Sequence, residues 1–135
     1  MSIISRTLLV SLAMTLSTTA LASSAVDTLL SEYRQAGAKH FSASQGKRLW
    51  NQAGRPPGAS TDRSCASCHT SDVQQPGRHA VTGKPIKPLA PSVLSRRLTN
   101  IAKVRKWLRR NCRWTRGREC KAQEKGDLLT YLRDQ

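Results

Sequence analysis

The chain has 135 residues, room for one small domain, and its 23 Lys and Arg against 8 Asp and Glu give a formal net charge of +15. Such a balance would suit nucleic acid, but the export signal described next argues for an address outside the cytoplasm and excludes that partner. The charge then serves to steer the protein toward an acidic protein or an anionic surface, or simply keeps it soluble. Aromatic residues make up only 4%, so a bound apolar group would add surface that the side chains of so small a core do not supply.

Residues 1–22 read as a cleaved signal peptide. Arg6 gives a short positive start, residues 7–16 are mostly apolar, and Ala20-Leu21-Ala22 offers small residues at a peptidase site. The apolar run is too short, and too interrupted by Ser and Thr, for a membrane span of about 20 residues. Residues 23–135 are the predicted domain, and the periplasm is its expected location.

Val26, Leu29, Leu30 and Tyr33 recur at helical spacing and predict a helix over residues 26–38, with Gly37 able to end it. A second helix is predicted from Ser42 or Ser44 to about Trp50, with Gly46 one turn before Trp50. Gly54, Pro56, Pro57 and Gly58 make residues 51–64 a loop. A second loop, residues 70–92, holds Pro76, Gly77, Gly83, Pro85, Pro88 and Pro91. Its length suits a segment wrapped around something. The clearest amphipathic helix spans residues 100–110. Ile101, Val104, Trp107 and Leu108 share a face, Lys103, Arg105, Lys106, Arg109 and Arg110 cover the rest, and Thr99 or Asn100 can cap the start. The last helix runs from about Ala122 to Arg133, with Leu128, Leu129, Tyr131 and Leu132 as its apolar side. With no strand pattern and no repeats, the predicted fold is all-α with long loops.

Between the two loops stands Cys65-Ala66-Ser67-Cys68-His69, the C-x-x-C-H signature of c-type haem attachment. Two thiols three positions apart can each add to one haem vinyl group, and the next residue places an imidazole beneath the iron. A zinc site would need a second ligand pair, and Cys112 and Cys120 are too widely spaced for one. A redox-active dithiol would want a βαβ pattern, which is absent. One haem c per chain is expected, held by Cys65, Cys68 and His69. Outside the cytoplasm the second pair, Cys112 and Cys120, is expected to oxidise. That disulfide would stabilise by roughly 2.5 kcal/mol in the chain-entropy model.

The helix pattern adds to this. Gly46 with Trp50, and Leu128 with Tyr131, resemble the crossed terminal helices of class I cytochromes c, where only Gly lets two backbones approach so closely. The sixth iron ligand is unusual. The only methionines are Met1 and Met14, both inside the signal peptide, so a Met ligand is impossible. His40 or His79 could reach the iron, which would make a plain electron carrier with a permanent ligand. From the residues alone Asn111 reads as a C-cap of the amphipathic helix or as a ligand.

Three stretches bear on this choice: residues 82–92, Thr-Gly-Lys-Pro-Ile-Lys-Pro-Leu-Ala-Pro-Ser; residues 102–112, Ala-Lys-Val-Arg-Lys-Trp-Leu-Arg-Arg-Asn-Cys; and Gly117-Arg118-Glu119-Cys120 with residues 124–129, Glu-Lys-Gly-Asp-Leu-Leu, close behind. Across essentially the whole of residues 23–135 the chain resembles the sphaeroides haem protein family (DUF1924), small class I cytochromes c. That resemblance implies Asn111 as distal ligand beside His69, a Cys112–Cys120 disulfide, and release of the Asn on reduction so that oxygen or nitric oxide can bind. It also implies a dihaem cytochrome c and a membrane cytochrome b as electron donors. Turnover of these gases would make an enzyme, but no general acid or base stands near the motif, so that question stays open. The chain departs from relatives at Lys121, where Thr often opens the last helix, which weakens a cap and touches no chemistry.

Overall fold

The structure, a computed structural model, describes residues 24–135, and the signal-peptide reading of residues 1–22 lies outside them. In chain order come α1 (Ala25–Gln35), α2 (Ala43–Asn51), α3 (Ala66–His69), β1 (Gly77–Arg78), β2 (Pro85–Ile86), α4 (Ile101–Arg116) and α5 (Ala122–Arg133). The architecture is all-α apart from the antiparallel β1–β2 pair, in which Gly77 faces Ile86 and Arg78 faces Pro85. Strands of two residues have no alternation to read. Their turn is set by Gly83 at φ +67° and by the His79 N–H donating to the Lys84 carbonyl at 2.8 Å.

The caps fall where short polar side chains allow them. Ser42 Oγ accepts from the Gln45 N–H at the start of α2, and Asn100 Oδ1 accepts from the Lys103 N–H at the start of α4. Lys121 offers no cap to α5, but Glu124 Oε2 accepts the Lys121 N–H at 2.7 Å, one half of a capping box.

α5 is the hub. Gly126 through Leu132 are all buried, because α2 covers one side of the helix and α1 another. At the α2–α5 crossing a Cβ on Gly46 would overlap the Asp127 carbonyl, so the pairing of Gly46 and Trp50 with Leu128 and Tyr131 is realised as backbone-to-backbone contact. One cluster joins Trp50, Val73, Ala90, Leu128, Tyr131 and Leu132 to both cysteines of the second pair. A second joins Val26, Leu29 and Leu30 to Val104 and Leu129. Each fully buried Leu among them contributes about 2 kcal/mol.

One boundary and one side chain differ from the sequence reading: Trp107, expected on the face of Ile101, Val104 and Leu108, is exposed on the outer face of α4. α4 does not stop near residue 110 but continues through Arg116 and is capped by Gly117 in the left-handed region at φ +68°. Asn111 is therefore an interior residue of the helix and not its C-cap. Gly117 is the only residue type that reaches this conformation without Cβ strain, so the helix runs on until it meets it.

Candidate haem site

α3 is one turn of helix, and it sets the spacing of the motif. Cys65 and Cys68 lie three residues apart on that turn, both half-buried. Ser64 and Ser67 brace it reciprocally. The Ser64 N–H donates to Ser67 Oγ at 3.0 Å, and the Ser67 N–H donates to Ser64 Oγ at 3.1 Å. Immediately after His69 the chain turns sharply through Thr70 at φ +65°, a conformation that costs a β-branched residue energy and is held from outside. Trp50 Nε1–H donates to the Thr70 carbonyl at 2.8 Å, and Tyr131 Oη–H donates to the Ser71 carbonyl at 3.3 Å. The Trp50 ring lies 5.6 Å from the His69 ring, centroid to centroid.

The following loop doubles back over the same turn. A Cβ on Gly77 would overlap the Cys68 carbonyl and crowd the His69 Cα, so only Gly fits there. The Ala80 N–H donates to Cys68 Sγ at 3.3 Å. The Leu89 and Ala90 N–H groups both donate to the Val73 carbonyl, at 2.9 and 3.1 Å. Arg97 closes the loop from the far side, donating through Nε to the Pro88 carbonyl at 2.7 Å and through Nη2 to the Lys87 carbonyl at 3.0 Å.

Electrostatics suit ligation. Burial, reinforced by the positive Arg97 nearby, brings the His69 imidazole down to about 4, so the ring is neutral at physiological pH, the form that binds metal. Neither His69 ring nitrogen takes part in a hydrogen bond among the described residues, although its ring is packed against Trp50. Burial pushes the Cys65 thiol up to about 11, against the opposing pull of Arg116. No group of three or more His, Cys, Asp or Glu side chains stands together among the described residues.

Cys112 and Cys120 form the expected disulfide, Cα atoms 5.6 Å apart, pinning α4 to the start of α5. Asn111, beside it, is half-buried. Leu108, one turn earlier on α4, packs on the cluster that also takes in Cys65 and Ala66. The Asn111 backbone carbonyl accepts from Thr115 Oγ1 at 2.8 Å, while its carboxamide makes no hydrogen bond among the described residues. His40 and His79 are exposed. His79 belongs to the β1–β2 turn, where its Nδ1 accepts from the Val81 and Thr82 N–H groups at 3.3 and 3.1 Å. The sequence reading did not single out Arg97 or Gly77. An Arg inside a loop carries no periodicity, and Gly77 was seen only as a breaker.

An all-α domain wrapped around a single C-x-x-C-H turn, with a neutral, half-buried His and two cysteines outside the disulfide, defines a c-type cytochrome with one attachment site. Residues 36–132 match the family model described as a domain of unknown function, DUF1924. Over 106 residues the chain is 42% identical to the cytochrome c-type protein SHP of Cereibacter sphaeroides, covering 77% of this chain and 79% of that protein. It is 37% identical over 91 residues to cytochrome c'' of Methylophilus methylotrophus, covering 67% of this chain and 62% of that protein's length. Among solved structures, oxidised SHP, an oxygen-binding cytochrome c, superposes with a TM-score of 0.73 at 38% identity, over 84% of this chain and all of that one (100%). Oxidised cytochrome c'' gives a TM-score of 0.69 at 32% identity, over 81% and 93%. The chain belongs to the DUF1924 family of monohaem c-type cytochromes and carries one covalently bound haem c.

Proposed function

We propose that this chain is a periplasmic gas-binding redox cytochrome, with Cys65 and Cys68 as its haem attachment points, His69 as its fixed iron ligand and Asn111 as its exchangeable one. The observation that carries the reading is the Asn111 carboxamide, half-buried and without a hydrogen bond, while the helix-end role open to it is filled by Gly117. SHP, described as oxygen binding, and cytochrome c'', described in terms of haem-ligand detachment, lend it support. When bound, a haem iron with a His on one face supplies one-electron chemistry and, on its other face, a place for a diatomic gas such as oxygen or nitric oxide.

The residues divide the work. His69 stays neutral and is held by Trp50 and the turn at Thr70. Asn111 offers a hard, neutral oxygen donor, better matched to ferric than to the softer ferrous iron, so reduction weakens its hold. The Cys112–Cys120 bond limits how far it moves on release. The electrons come from other cytochromes, a dihaem cytochrome c and a membrane cytochrome b by family resemblance.

The test is the absorption spectrum of the ferrous protein with and without carbon monoxide, repeated on Asn111→Ala. Wild type binds the gas rapidly once reduced. The Ala variant keeps its fold, loses under about 1 kcal/mol of stability, and shifts its ferric spectrum toward a water-ligated or open form. A variant with the wild-type ferric spectrum would sink the assignment and bring forward an electron carrier using His40 or His79.

A further inference from the structure

α4 has two faces. Val104, Cys112 and Thr115 are buried and Leu108 half-buried on the inner one. On the outer one lie Lys103, Lys106, Trp107 and Arg110, spaced i, i+3, i+4 and i+7 and all exposed. Arg109 and Arg113 flank them, and the helix contains no acidic residue. The two carboxylates beside it are already engaged. Glu32 pairs with Arg105 at 2.5 Å and Glu119 with Arg113 at 3.0 Å. Among the described residues Lys103, Lys106, Arg109 and Arg110 have no ion pair. Trp107 is 50% exposed, with the Arg110 guanidinium 5.2 Å from its ring centroid. Trp and Arg are the residue types that most often dominate binding energy at protein interfaces.

We infer that the outer face of α4 is the docking surface for an acidic protein partner, whose carboxylates would meet Lys103, Lys106 and Arg110 around Trp107. The stripe from Lys103 to Arg113 is about 15 Å long at the helical rise, too long for one small anion and suited to a protein patch. A membrane surface fits less well, because the apolar side of α4 is turned into the core and only Trp107 could enter lipid. This inference rests on the cytochrome class and not on Asn111, so carbon monoxide binding by the same variants reports on the distal ligand separately.

The experiment uses the ferric holoprotein and reduced flavodoxin as an acidic donor. One electron leaves the flavin and arrives on the ferric iron, with no bond or proton changing hands. The variant Lys103→Glu/Lys106→Glu/Arg110→Glu is compared with Lys39→Glu/Lys47→Glu/Lys84→Glu, which carries the same change in net charge on other exposed positions. The three Gln substitutions on α4 serve as a milder second variant, and haem content and circular dichroism check folding. At low salt the α4 reversal should lower the second-order rate at least tenfold and flatten its salt dependence. The control should lose less than threefold, and the Gln variant should fall between. Equal losses in the two triple variants, or a wild-type rate in the α4 variants, overturn the proposal. So does loss of binding to phosphatidylglycerol vesicles with the flavodoxin rate unchanged, which would give this face to the membrane.

Discussion

The turn that carries His69 and the helix that carries Asn111 are built to different tolerances. Around His69 the turn is held from several directions: Trp50 and Tyr131 donate to the Thr70 and Ser71 carbonyls, Gly77 lies against Cys68, and Arg97 holds Pro88 and Lys87 of the loop that follows. Around Asn111 the supports stand at the two ends of α4. Asn100 caps one end, and the disulfide, Gly117 and the Arg116 Nη2 bond to the Leu49 carbonyl (2.9 Å) hold the other. The turn at His69 is held by side chains from α2 and α5 and by the loop that follows it, whereas the Asn111 carboxamide makes no hydrogen bond among the described residues. The contrast teaches that the two residues proposed to ligate the iron have side chains under different constraint.

The strongest way to break the comparison is to remove the tethers of the fixed side. Cys65→Ala with Cys68→Ala should abolish covalent attachment, read as haem lost on acid-acetone extraction, while extraction leaves it on the wild type. Next, Gly77→Ala drives a methyl into the Cys68 carbonyl and should cost about 3 kcal/mol in urea unfolding of the holoprotein. A neutral result would show the loop to be as loose as α4. On the other side, Cys112→Ala with Cys120→Ala removes the tether of α4. It should lower stability by about 2.5 kcal/mol and speed carbon monoxide binding to the ferrous form, while the His69 side keeps its haem.

The smallest effect lies at the start of α5. Arg118, donating to both Glu124 oxygens at 2.8 Å, and the Lys121 N–H hold the Glu124 carboxyl down at about 2. Its unfolded value is about 4.3. The stability it lends is therefore present above that value, declines as pH falls through the interval, and is gone once pH drops through about 2. Glu124→Gln should cost about 1 kcal/mol at pH 7, with the gap to wild type closing between pH 4 and pH 2. A gap that persists at pH 2 would point to packing and not charge.

Much of this was legible in the sequence. The crossing of Gly46 with the Leu128–Tyr131 segment and the pairing of Cys112 with Cys120 are local or periodic patterns, and both landed where expected; the C-x-x-C-H motif likewise pointed to the haem c that the family carries. The far end of α4 was not legible, because residues 111–116 carry Arg and a disulfide where apolar spacing would have extended the helix. Asp127 was read only as a helix position. Its Oδ1 in fact accepts the Ser42 N–H at 2.8 Å and the Gln123 Nε2–H at 3.0 Å, linking α2 to α5. Arg97 was missed for the same reason, since its partners are carbonyls and no residue type marks them in advance.

That bond from Ser42 to Asp127 joins residues 85 positions apart. A chain that emerges from its N-terminus cannot close it until nearly the last residue is through, and closing so long a loop is entropically slow. Until α5 is in place, Trp50 has no Tyr131 to pack on and the turn after His69 lacks its anchor at the Ser71 carbonyl. The twelve residues of α5 therefore complete the packing around the turn that carries Cys65 and Cys68.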